Sequence, residues 1–263
     1  MPVRRTHIGG MYAERTGSGP ALMLLHGSIE PGWETWSEQR PLAEEFELVV
    51  PHRSGYPPNE PMVRIDFQRQ AKEVADAIEP GWHVVGDSYG GLIGLLAAPM
   101  AAERIGSLTV IEPPAFGVAR GEDQVEEMVA ALEPILTDSE QEPREFLERF
   151  FGLLGIDEAV EEPLPALLEA AVRATMAERP PWEAEIPLEE LRHADIPTLV
   201  ISSGSSPAFE TVCDRIADEI GADREVVPTS GHSIPPIGRP LNDRLRRFVK
   251  DSGQTLSSGD RFA

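Results

Sequence analysis

Residues 86–91 read Gly86-Asp87-Ser88-Tyr89-Gly90-Gly91, and the flanks of this hexapeptide decide the fold. An apolar run containing Trp82, Val84 and Val85 precedes it, and a run of small and apolar residues, 92–100, follows it. A Gly-x-Ser-x-Gly match between a strand and a helix is a nucleophile elbow. Glycines at 86 and 90 leave room for a turn too sharp to tolerate side chains. Such a turn lifts Ser88 above the sheet edge and sets it at a helix start, where backbone N–H groups point outward.

Two further signals frame the elbow. Upstream, the short apolar run 22–25 ends in His26-Gly27-Ser28. Downstream, Gly231-His232 follows the apolar pair Val226-Val227. Together these resemble the α/β-hydrolase superfamily, over roughly residues 11–250. In that superfamily a His-Gly loop supplies one oxyanion-hole amide and the residue after the nucleophile supplies the other. The resemblance therefore implies the amides of Ser28 and Tyr89. It implies His232 as the base, in a loop before the last helix, and His26 as a residue that shapes the loop. Pro51-His52-Arg53-Ser54-Gly55-Tyr56 is similar to the family's Asp-x-Arg-Gly-x-Gly loop, without the first Asp and one Gly. Residues 197–201 are similar to its penultimate strand.

The implied architecture is an α/β-hydrolase fold, a mostly parallel central sheet flanked by helices with an inserted helical cap. Alternating strand and helix patterns agree, since parallel strands need helices on both faces. Asp66 precedes a helical stripe of Phe67, Ala71, Val74 and Ile78 and can cap it. Further stripes are Phe209, Val212, Ile216 and Ile220, and Ile237, Leu241, Leu245 and Phe248. The expected core is 1–117 and 194–250, with a flexible C-terminal tail at 251–263, where the sequence turns polar and unpatterned.

The segment 118–193 is the expected cap. It holds 20 Asp/Glu against 6 Lys/Arg and three stripes at helical spacing. These are Val125, Met128, Val129 and Leu132; then Phe146, Leu147, Phe150, Phe151 and Leu154; then Leu164, Leu167, Leu168, Ala171, Val172 and Met176. Most of these side chains pack on neighbours, and some of the Phe and Leu are expected to line an apolar substrate pocket. The acidic faces weakly disfavour polyanionic substrates such as acyl-CoA at low salt.

The net charge of −22 disfavours nucleic acid as a partner. No apolar run approaches the ~20 residues of a membrane span, and the first ten residues lack a signal-peptide core. The single cysteine excludes an internal disulfide and fits a reducing cytoplasm; Cys213 falls within an apolar stripe as a buried thiol. No metal-ligand spacing and no phosphate loop occur, so neither metal nor cofactor is expected.

A serine hydroxyl needs a base within hydrogen-bond reach, and the base needs a carboxylate that fixes its tautomer. Many α/β-hydrolases carry that acid after the seventh strand. Here the stretch reads Ser202-Ser203-Gly204-Ser205-Ser206-Pro207, with Glu210 falling on the next helix. Another arrangement, seen in some haloalkane dehalogenases, places the acid one strand earlier. Glu112, ending the apolar run 108–111, occupies that place. Glu112 is the favoured acid and Glu210 the alternative. Dehalogenation is disfavoured because it would need Asp where Ser88 stands. The expected activity is hydrolysis of an ester, lactone or thioester of an apolar small molecule. A non-hydrolytic cyclase or lyase, or a binding protein on this fold, stays open.

Overall fold

The computed structural model describes residues 2–257. Among the described residues, eight strands form one sheet in the order β1-β2-β4-β3-β5-β6-β7-β8. They are β1 (Arg4–Ile8), β2 (Met11–Gly17), β3 (Ala21–Leu25), β4 (Glu47–Pro51), β5 (Trp82–Asp87), β6 (Ile105–Ile111), β7 (Thr198–Ser202) and β8 (Asp223–Val226). Strand β2 runs antiparallel to both β1 and β4, and all pairings from β4 to β8 are parallel. Edge strand β1 is mostly exposed, whereas β2 alternates and buries Met11 and Ala13; neither is among the strands expected from the sequence.

The helices among the described residues are α1 (Trp33–Trp36), α2 (Phe67–Ala77), α3 (Tyr89–Ala97), α4 (Asp123–Leu136), α5 (Pro143–Leu154), α6 (Ala166–Met176), α7 (Leu188–Ala194), α8 (Pro207–Ile220) and α9 (Arg239–Ser257). Every residue of β3, β6 and β7 is buried, as expected of strands covered on both faces. Period two divides them. Met23, Leu25, Val84 and Val110 face a core with Phe67, Val74, Leu92 and Val212. Leu22, Leu24, Val85 and Ile111 face the other core with Trp36, Leu241 and Leu245. Asp66 caps α2, accepting from the N–H groups of Gln68 and Arg69. Cys213 is fully buried in the first core.

All four helices α4–α7 lie between β6 and β7 in sequence. The pair α5–α6 packs together with Phe146, Leu147 and Val172 at its centre. By contrast α7, which begins within the 118–193 span, packs against α8 and the 3₁₀ turn Pro99–Ala101.

Residues 251–257, expected as part of a flexible tail, are helical instead. Helix α9 runs on to Ser257. Ser252 is 5% exposed and its hydroxyl donates to Phe248 O one turn back. A polar but helix-compatible sequence, with Gly253 as its only strong disrupter, carries the helix onward. Residues 258–263 of that expected tail lie outside the described residues.

Candidate active site

Parallel strands place their following loops along one edge, where ligands of open α/β sheets bind. The edge after β3, β5, β6 and β7 carries His26, Ser88, Glu112 and Ser203 in turn. Pairing sets their register. Asp87 lies opposite Ile111, and Ile111 opposite Ile201. The Ser88 N–H donates to Ile111 O (2.8 Å) and the Glu112 N–H to Ile201 O (2.9 Å). Both residues leave their strands with positive φ, 47° at Ser88 and 41° at Glu112. Side chains other than Gly rarely adopt this region, and where they do the strain concentrates at functional sites. At Gly90 a Cβ would strike the carbonyl oxygens of Leu25 and His26, and at Gly86 that of Gly90. The elbow needs both glycines for this close approach.

Ser88 Oγ lies 2.8 Å from His232 Nε2, and His232 Nδ1 lies 2.7 Å from Glu112 Oε2. A carboxylate only accepts, so Nδ1 carries the proton, donates to Glu112, and leaves Nε2 free to accept the Ser88 hydroxyl. Glu112 is 1% exposed. Its Oε1 accepts from the Ser203 N–H (2.7 Å) and hydroxyl (2.5 Å). Burial pushes the Glu112 carboxyl up, but its bond to His232, the imidazole charge and both Ser203 bonds bring it below its ordinary value. Burial pushes His232 down, yet the hydrogen bond and charge of Glu112, with the Asp87 charge, carry it above its ordinary 6.5. Phe209 stacks on the imidazole, ring centroids 4.2 Å apart and planes 15° apart.

Glu210 is elsewhere. Its oxygens accept from the Gly204 N–H and from Arg224 Nη2. The two candidate acids thus part: Glu112 joins His232, and Glu210 closes a loop and pairs with an arginine.

His26 is buried and pushed well below its ordinary value, chiefly by burial and then by Arg53. Its neutral ring bridges the loops: Nδ1–H donates to Gly27 O (2.7 Å), and Nε2 accepts from the Arg53 N–H (2.9 Å). Ser28 and Tyr89 both border the pocket that holds Ser88 and His232. Tyr89 is the first residue of α3, so its N–H has no intrahelical acceptor.

On one side of Ser88 the pocket wall is mainly apolar, with Phe116, Leu132, Leu136, Phe150, Leu154 and Phe209. Leu132, Leu136, Phe150 and Leu154 come from α4 and α5. On the other side a second cleft meets Ser88 and carries Glu30, Asp87 and Glu158. Burial pushes Glu30 up to about 7, assisted by the charges of Glu158, Asp87 and Glu34. Burial likewise pushes Asp87 up to about 7, against the pull of His232 and with the push of Glu112.

Three contacts of the site are absent from any sequence motif: Ser203 on Glu112, Phe209 on His232, and Glu178, which accepts from the Ser28 hydroxyl (2.7 Å). The acid-free serine stretch after β7 is the one local hint of the first.

The sequence model described as the alpha/beta hydrolase family matches residues 22–243. The chain belongs to the alpha/beta hydrolase family. Among relatives of this alpha/beta hydrolase is a pimeloyl-[acyl-carrier protein] methyl ester esterase of Methylococcus capsulatus. It is 28% identical over 199 residues, 71% of this chain and 73% of that protein. A protein of the same name from Aliivibrio fischeri is 32% identical over 114 residues, 42% of this chain and 44% of that one. Among solved structures, an alpha/beta hydrolase from Sphaerobacter thermophilus superposes with a TM-score of 0.66 at 22% identity, covering 93% of this chain and 99% of its own. A carboxylesterase from Bacillus subtilis gives 0.66 at 19% identity, covering 94% and 91%. These two likenesses concern the fold of this alpha/beta hydrolase. Among the described residues no helix is long and apolar enough to cross a membrane, and no group of three or more His, Cys, Asp or Glu could hold a metal.

Proposed function

We propose that the protein is a serine esterase that cleaves an ester, lactone or thioester of an apolar small molecule through an acyl-enzyme. The observation that carries this reading is the continuous chain Ser88 Oγ, His232, Glu112 at the mouth of an apolar pocket. The esterase names of the sequence relatives support it.

In the proposed reaction His232 Nε2 takes the Ser88 proton as Oγ attacks the carbonyl carbon. Glu112 stabilises the imidazolium that forms. The amides of Ser28 and Tyr89 receive the developing oxyanion. The imidazolium then returns its proton to the leaving alcohol or thiol, and water repeats the sequence on the acyl-enzyme. A fluorophosphonate, which phosphonylates activated serines, tests the reading. The expected adduct is on Ser88, and an adduct on another serine, or none, removes it.

The base works only when neutral, so kcat/KM should fall with acidification. Because Glu112 and Asp87 raise His232, the acid limb is expected above the ordinary imidazole value of about 6.5. Asp87→Asn removes the smaller of these influences, a carboxylate itself pushed up to about 7 and so only partly ionised where the base titrates. Its limb is expected at lower pH than the wild type's, with Ser88 still labelled. A pH–rate profile that stays put in the variant would deny Asp87 this influence.

Substrate preference follows from the walls. Neutral p-nitrophenyl esters of medium-chain or aromatic acids should exceed anionic analogues in kcat/KM by roughly tenfold or more at low salt, the gap narrowing as salt screens the acidic segment. Faster turnover of a polyanionic acyl-CoA thioester than of a neutral ester would defeat this assignment.

A further inference from the structure

A backbone N–H stabilises an oxyanion only when held about 2.7–3.1 Å from where that oxygen will sit. The loop bearing the Ser28 amide is neither helix nor strand. Its next residue, Ile29, takes φ 73°, a region a β-branched residue avoids. Such backbone persists only where its surroundings over-determine it.

Four side-chain contacts do so here. Arg53 Nε donates to His26 O (3.1 Å), and Arg53 Nη2 donates to Gly27 O (2.8 Å). The Ser28 hydroxyl donates to Glu178 Oε2 (2.7 Å), and the Ile29 N–H donates to Thr175 Oγ1 (2.9 Å). The last two partners come from the segment between β6 and β7: Thr175 lies on α6 and Glu178 just beyond its end. Two consecutive residues of the loop are therefore fastened by helical-segment residues some 150 positions away.

Glu178 is the hub of this network. Its Oε1 accepts from Arg53 Nη2 (2.6 Å) and from the Tyr56 hydroxyl (2.8 Å). The Arg53 side chain is 0% exposed and that of Glu178 5%. A buried guanidinium needs a counter-charge, and Oε1 supplies it. That need leaves Oε2 free of duty, yet Oε2 is spent on Ser28. Glu178 also borders the pocket that contains Ser88.

We propose that Glu178 is a positioning residue that, through the Ser28 hydroxyl, sets the Ser28 amide of the oxyanion hole. The segment between β6 and β7 then completes the site as well as covering it. The proposal rests on the acyl-enzyme reading above. Glu178 acts through Ser28 and not through His232, so its removal should weaken transition-state binding without moving the titration of the base.

The test compares wild type with Glu178→Gln, Ser28→Ala and Ser28→Thr on a p-nitrophenyl ester. A trifluoromethyl ketone, which adds the serine hydroxyl to form a tetrahedral oxyanion, is the second probe. Glu178→Gln leaves Arg53 without its counter-charge and can fail to fold. Ser28→Ala removes only the link to Oε2, leaving the Arg53–Glu178 pair and the backbone amide at position 28 in the chain. Expected for Ser28→Ala, and for Glu178→Gln if folded, is a loss of about 10- to 100-fold in kcat, a part of what deleting an oxyanion donor costs. KM should stay within about threefold, since the interaction is made in the transition state. The ketone's inhibition constant should rise in proportion to the loss in kcat, the acid limb should not shift, and Ser28→Thr should recover most of the loss. Unchanged kcat and ketone affinity in Ser28→Ala, or a fall in kcat with ketone affinity intact, overturns the positioning role. A wild-type protein that neither the ketone inhibits nor a fluorophosphonate labels overturns the acyl-enzyme reading, and this proposal with it.

Discussion

Ser88→Ala is expected to lower kcat by roughly 10⁴- to 10⁶-fold and to abolish fluorophosphonate labelling, with the fold intact. The size follows from how the three side chains depend on one another. His232 and Glu112 accelerate nothing unless a hydroxyl sits on Nε2, where Ser88 Oγ lies at 2.8 Å. Removing it therefore forfeits the contribution of all three at once. What remains is binding in the apolar pocket and any oxyanion stabilisation, worth about 10³–10⁴ over water when a triad member is deleted. Folding should be spared for a specific reason. The strained φ of 47° belongs to the backbone, and alanine carries the same Cβ as serine, so the substitution adds no new clash. The helix start makes no demand either, since no capping bond is formed by the Ser88 side chain. Single-turnover kinetics, intact-mass spectra and a thermal melt on the purified variant check the three parts. A variant that keeps more than about a hundredth of wild-type kcat would mean that Ser88 is not the nucleophile.

The residues that were legible in the sequence are those whose chemistry is written locally. The elbow needs two glycines within five residues, and Gly86 and Gly90 provide them between an apolar run and a helical one. Glu112 stands out because a carboxylate ending a fully apolar strand requires a partner, and the structure supplies His232 at 2.7 Å. His232 itself was visible through its place before the last helix. The rest of the site is made of contacts that leave no local trace. Ser203 lies 91 positions from Glu112 and Glu178 lies 150 from Ser28, and neither Ser nor Glu carries a pattern that names its partner. Phe209 looked like an ordinary stripe residue because it is one, buried in the core that also presents a ring face to His232. In the fold, the edge strand β1 escaped for a related reason. Arg4, Arg5 and His7 sit on an edge strand largely open to water, where no apolar face is required and no alternation is imposed.

Glu112→Gln is expected to cost about 10⁴-fold in kcat, and Glu210→Gln to leave kcat within about twofold. The argument turns on which way the new amide must point. Glu112 Oε1 accepts from the buried Ser203 N–H, which is an obligatory donor and has no water to turn to. In the Glu112→Gln variant the amide's carbonyl oxygen must therefore occupy the Oε1 place, because an NH₂ there would oppose a donor with a donor. That forces the NH₂ toward His232 Nδ1. Nδ1 can then meet it only as an acceptor, so the imidazole proton moves to Nε2, the atom that has to accept the Ser88 proton. The wrong tautomer is thus imposed by Ser203, and the volume of the side chain hardly changes. Two consequences follow, of which the second separates this from a loss of folding. First, Ser203→Ala in the Glu112→Gln background removes the hydroxyl but not the N–H, so it should restore little activity. Second, the acid limb set by His232 should move to lower pH in Glu112→Gln, since the hydrogen bond and charge that hold the imidazole above its ordinary value are gone. Glu210 provides the contrast. Its oxygens serve the Gly204 N–H and Arg224, so neutralising it loosens a partly exposed ion pair, worth about 0–1 kcal/mol, and leaves the imidazole untouched. Steady-state rates and pH profiles of both single variants decide the matter. Near-wild-type turnover by Glu112→Gln, or a large loss in Glu210→Gln with a normal melt, would reverse the assignment of the acid.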